Sequence, residues 1–152
     1  MRLITQSEVL SVFASGAQDN NHLDEIYDGK IPDILDNAFV TLNFENGSRG
    51  MLDLCMFAEN SKVQEEICGV GHKGKIETSV PSDASGKHTS ELSIGLRNSD
   101  RITSEIIEVD KEILEAGSHH GSTFYEHIGF INAIRNNTAP EVSLDDGLKA
   151  VA

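Results

Sequence analysis

The chain has 152 residues, with 12 Lys and Arg against 25 Asp and Glu, for a formal net charge of −13. That length supports one hydrophobic core but excludes a dinucleotide-binding domain and a substrate domain side by side. The acidic balance argues against a phosphate-tracking nucleic-acid surface and against adsorption to anionic lipid.

The opening stretch, MRLITQSEVLSVF, lacks a long apolar core and a small-residue cleavage site. No segment approaches the roughly 20 apolar residues of a membrane helix. The expectation is a cytoplasmic protein with neither a membrane nor a nucleic-acid partner. Residues 7–14, rich in Val, Leu and Phe, predict a first strand, and residues 16–30 break it with Asn, Asp and Gly. Ala38, Val40, Leu42 and Phe44 then alternate with Phe39, Thr41 and Asn43, which makes one face apolar. Asn46-Gly47 suits a tight turn, because both residues tolerate positive φ, and Leu52, Leu54 and Met56 alternate on the way back. This is a β-hairpin. A second hairpin is expected over residues 63–78, turning through Gly71-His72-Lys73-Gly74. After a polar loop at 81–88, strands are expected at 91–97 and 101–109, separated by Asn98-Ser99-Asp100.

Helix begins at Ser122. Thr123 and Glu126 have the spacing of a capping box, in which a hydroxyl and a carboxylate satisfy free amides of the first turn. Phe124, Ile128, Ile131 and Ile134 recur at helical spacing, and the pattern stops near Asn136-Asn137, ahead of Pro140. Ser143, Asp145 and Asp146 open another helix with Leu144, Leu148 and Val151 on one face. It ends after about two turns, which reads as a shortened C-terminus.

Strands first and helices afterwards predict a single α+β domain over 1–152: an open, mostly antiparallel β-sheet with helices packed on one face. The other face would carry Phe39, Met51 and Cys55, an apolar set that marks a homo-oligomer contact. Cys55 and Cys68 sit singly, without the close pairing of a disulfide framework or zinc knuckle, and are expected to be reduced and buried.

Residues 69–74 spell G-x-G-x-x-G. The dinucleotide fingerprint needs a helix to start there, so that its amides face the pyrophosphate. Lys75 to Val80 is instead alternating and β-branched, and Pro81 stops it. A hairpin with glycines is expected, and no nucleotide site. His119 and His120 are adjacent and His127 is a helical turn or more away, a poor arrangement for one metal. The polar junction His119, His120, Thr123 suits contacts to substrate hydroxyls or carboxylates.

Several segments, in order, resemble the C-terminal domain of the Gfo/Idh/MocA oxidoreductases, the glucose–fructose oxidoreductase and inositol dehydrogenase group. They are Arg2 to Val9, Asp36 to Gly47 running into Gly50, Gly71 to Glu77, EHIGFINAIR at 126–135, and Asp145 to Ala150 after Pro140. The resemblance implies a Rossmann domain that binds NAD or NADP in the full-length enzyme. It also implies a C-terminal α+β domain that shapes the pocket for a sugar, polyol or related hydroxy compound and makes oligomer contacts through its open sheet. The family's nucleotide fingerprint, E-K-P segment and D-x-x-x-H motif all precede the matching part, so no cofactor-binding or catalytic residue is expected in this chain. Thr123 corresponds best to a substrate-contacting position that is often Tyr in the family. The alternative is a stand-alone, non-catalytic binding or scaffold domain with the same fold.

Overall fold

The computed structural model describes residues 1–81, 89–116 and 119–151. The chain divides into two compact units, Met1–Ser61 and Lys62–Ala152. The α+β class and the antiparallel pairing hold, with the strands shared between a three-stranded and a four-stranded sheet.

In the first unit, helix α1 (Arg2–Thr5) precedes strands β1 (Val9–Ala17), β2 (Asn37–Phe44) and β3 (Arg49–Cys55), ordered β1-β2-β3. The short helix was not expected from the sequence. Its first turn is held by a two-pronged ion pair, Arg2 Nε to Glu8 Oε2 at 2.8 Å and Arg2 Nη2 to Glu8 Oε1 at 2.9 Å. The β2–β3 hairpin forms as the alternation predicts: Ala38 and Phe44 are buried, while Phe39, Thr41 and Asn43 are exposed. Its turn differs in one detail. Gly47 has φ 85° but Asn46 does not turn left-handed. The Asn46 side-chain oxygen instead accepts the Ser48 amide at 3.0 Å.

Asp36 closes the other end of this sheet, with only 1% of its surface exposed. Its carboxylate accepts the backbone amides of Asp19 (3.0 Å), Asn20 (2.7 Å) and Asn21 (2.7 Å), and the Asn37 side-chain amide at 2.9 Å. Burial pushes the carboxyl up, but these donors outweigh it and hold the pKa down to about 2. One side chain thereby fixes where the long loop leaves β1.

In the second unit, β4 (Val63–Gly71), β5 (Gly74–Pro81), β6 (Ser90–Leu96) and β7 (Ile102–Ile107) lie in the order β4-β5-β6-β7. The G-x-G-x-x-G segment is the β4–β5 hairpin, with Gly71 paired to Gly74 across a His72-Lys73 turn. Gly74 is required there, because a side chain would strike the Gly95 carbonyl of β6. Of the expected polar loop, residues 82–88 lie outside the described residues, as does Gly117.

Helices α2 (Lys111–Ala116), α3 (Ser122–Asn136) and α4 (Leu144–Val151) follow. α2 was not expected, since Ile113 and Leu114 form too short an apolar run to announce a helix. The capping box sits on α4 rather than α3. Ser143 Oγ accepts the Asp146 amide at 3.2 Å, and Asp146 Oδ2 accepts the Ser143 amide at 3.0 Å. At α3 the cap residue is Gly121, with no side-chain cap bond, so Thr123 lies inside the helix and cannot close the expected box with Glu126. The apolar stripe of α3 buries Ala133 and leaves Phe124, Ile128 and Ile131 partly exposed. Cys55 and Cys68 are both free and exposed, contrary to the expectation of burial. Cys55 shares the exposed face of β3 with Met51 and Asp53, and β4 is exposed from Gln64 through Cys68 whichever way its side chains point.

Asp36 sets an acid limit on the first unit. An ordinary Asp has a pKa of 3.8, and in the fold the value is about 2. Between those values the unfolded chain binds the proton and the folded chain does not, so stability falls as pH drops through the window. Asp36→Asn should flatten that acid-side loss in denaturant unfolding followed from about pH 5 to about pH 2. A wild-type slope in the variant would contradict the assignment.

Candidate functional site

Three consecutive residues ahead of α3 adopt left-handed backbone: His119 (φ 55°), His120 (φ 55°) and Gly121 (φ 83°). Such a run is costly for residues with side chains and persists only where surrounding contacts impose it. Those contacts are visible. His119 Nδ1 lies 2.9 Å from Glu65 Oε1 on β4, and His120 Nε2 lies 3.1 Å from the carbonyl oxygen of Ile107, the last residue of β7. β4 and β7 are the two outer strands of the sheet. Glu65 pairs with Val80 near the end of β5, and Ile107 pairs with Ser90 at the start of β6, so both lie at the same end of the sheet. The turn therefore bridges that end, a span of roughly 14 Å for three strand spacings.

Gly121, the last residue of this turn, is buried. A β-carbon there would come within 2.9 Å of Ile113 Cγ2 on α2 and 3.0 Å of Val109 Cγ1. Position 121 thus needs glycine twice, for its φ and for its space. Within α3, His127 Nδ1 lies 2.7 Å from the Thr123 carbonyl oxygen, so the His127 ring folds back over the first turn.

The structure thus gathers His119 and His120 at one end of the sheet and places Thr123 just inside the adjoining helix. Thr123 caps nothing. Glu65, for which no spacing rule points to a partner, is the carboxylate that meets His119. A second polar cluster lies in the first unit, where Glu25 accepts from Tyr27 Oη at 2.7 Å and faces His22 Nδ1 at 2.9 Å. The Tyr27 bond, then the His22 bond, lower the Glu25 pKa, and the same carboxylate raises that of Tyr27. Among the described residues no three His, Cys, Asp or Glu converge as a metal site.

A concavity of about 490 Å³ in the second unit is at the other end of the sheet, lined by His72, Lys73, Leu96, Arg97, Asn98 and Ser99. Neither His119 nor His120 lines it. It is an open dish between two turns, lined by side chains of those turns, whereas the bridge holds two imidazoles each fixed through one ring nitrogen. The chemistry therefore favours the bridge over the dish as the candidate site. The G-x-G-x-x-G hairpin does not fit a dinucleotide, because β5 rather than a helix follows Gly74.

Gly121→Ala should destabilise the second unit by about 1–3 kcal/mol, from left-handed strain and the clash with Ile113. Denaturant titration measures this, and a neutral result would contradict the tight bridge.

A family model described as the oxidoreductase family, C-terminal alpha/beta domain, matches residues 5–152. Among solved structures, the fold is similar to that of aldose-aldose oxidoreductase from Caulobacter crescentus, crystallised in complex with glycerol, with a TM-score of 0.59. Sequence identity to it is 18%, and the likeness covers 97% of this chain and 37% of that one. This chain thus spans little more than a third of that relative, and at such identity the likeness is one of fold. No curated protein matches the chain. With a match over all but its first four residues, the chain belongs to the Gfo/Idh/MocA oxidoreductase family, in the part formed by the C-terminal α/β domain.

Proposed function

We propose that this chain is the substrate-binding and oligomerisation part of an NAD(P)-dependent oxidoreductase acting on a sugar, polyol or related hydroxy compound. His119, His120 and Thr123 mark its substrate-facing end. The match to the C-terminal domain of the family carries the proposal, and the bridge ahead of α3 supports the location. A neutral imidazole held by one nitrogen offers the other to a ligand hydroxyl. NAD or NADP would be held by residues outside this chain, since its glycine-rich segment is a hairpin.

The oligomer contact is proposed on the outward face of the three-stranded sheet, with a second copy of this chain as the partner. Phe13, Thr41 and Met51 form one row across β1, β2 and β3, and Phe39 lies in the next row on the same face. Phe13 (74%), Met51 (70%) and Phe39 (60%) are largely exposed. Grouped apolar side chains of this size mark an interface.

In the enzyme that contains this chain, His120→Ala should raise KM for its hydroxy substrate about 3- to 10-fold, the worth of one neutral hydrogen bond. Thermal unfolding should change far less. An unaltered KM would remove His120 from the site. Phe39→Lys should shift the chain towards monomer in sedimentation velocity at micromolar concentration, because an unpaired charge buried in an interface costs several kcal/mol. A wild-type protein already monomeric there would overturn the interface.

A further inference from the structure

Glu65 and His119 form a pair whose chemistry fixes more than an ion contact. The distance from His119 Nδ1 to Glu65 Oε1 is 2.9 Å, and both side chains are nearly half exposed. An ionised carboxylate can only accept, so Nδ1 must carry the proton. In the neutral ring the other nitrogen, Nε2, then keeps its lone pair. His120 is held the opposite way. The carbonyl oxygen of Ile107 can only accept, so Nε2 of His120 carries the proton and Nδ1 is left as the acceptor.

We infer that Glu65 is a positioning residue for His119. It orients the ring and selects the Nδ1–H tautomer, so that Nε2 is an acceptor for the proton of a ligand hydroxyl. This rests on the proposal that His119 faces substrate. A free histidine side chain prefers the Nε2–H form, so the selection is one the protein must impose. An exposed pair of this kind contributes little to stability. Its removal should therefore change the tautomer without unfolding the sheet. The same logic links a carboxylate to the far nitrogen of many working histidines, where the partner settles which nitrogen is available.

The test is long-range nitrogen–proton correlation NMR of the histidine rings in the 152-residue chain. It is recorded at mildly alkaline pH, and the tautomer is read from the one-bond and two-bond nitrogen–proton correlations of each ring. Wild type should show His119 as Nδ1–H and His120 as Nε2–H. Glu65→Leu should convert His119 to predominantly Nε2–H and leave His120 unchanged as the internal control. Glu65→Gln, whose side-chain carbonyl still accepts, should restore Nδ1–H. A wild-type His119 in the Nε2–H form overturns the inference even if no variant folds. So does an unchanged tautomer in Glu65→Leu. The readout uses no ligand, so its failure is distinct from failure of the substrate proposal, which the KM of His120→Ala decides.

Discussion

The second unit is organised around a turn that crosses one end of a four-stranded sheet. Its two histidines reach Glu65 on one outer strand and the last carbonyl of the other, while Gly121 lies close against Ile113 and Val109. α3 takes its start from this crossing. α3 begins at Ser122 because Gly121 ends the left-handed run, and no side chain caps the helix because the turn already sets its start. The strain of two left-handed histidines marks a turn fixed by its surroundings rather than by local preference.

The first unit uses the same device in a different form. A buried carboxylate, Asp36, gathers three successive amides from the loop after β1. A long loop with few apolar anchors is thereby given one defined exit. Both units thus rely on a carboxylate that reaches across the chain: Asp36 to backbone amides, Glu65 to an imidazole. With Ala38, Phe44 and Ala133 the buried apolar side chains among the described residues, polar anchors of this kind carry much of the positioning.

Much of the fold was legible in the sequence, and the pattern of failures is informative. The hairpin around Gly47 follows from strict alternation and a turn dipeptide, both local signals. The failure of G-x-G-x-x-G as a nucleotide loop was equally local, because the residues after Gly74 favour strand. The cap was not legible. Thr123–Glu126 and Ser143–Asp146 have the same form, and only the backbone path through Gly121 decides that the second closes and the first does not. Asp36 and Glu65 are not legible in the sequence for a different reason: their partners lie far along the chain, and no spacing rule connects them. The histidines at the candidate site were found by their place between strand and helix, but their opposing orientations needed the sheet edges to be known.

The central claim is that this bridge faces the substrate. A crystal structure of the enzyme containing this chain, with nicotinamide cofactor and its hydroxy substrate bound, tests it directly. The account predicts a substrate hydroxyl within hydrogen-bond distance of His119 Nε2 or His120 Nδ1, with the nicotinamide presented to the same substrate. A substrate seated elsewhere, with both imidazoles beyond hydrogen-bond reach, would contradict it.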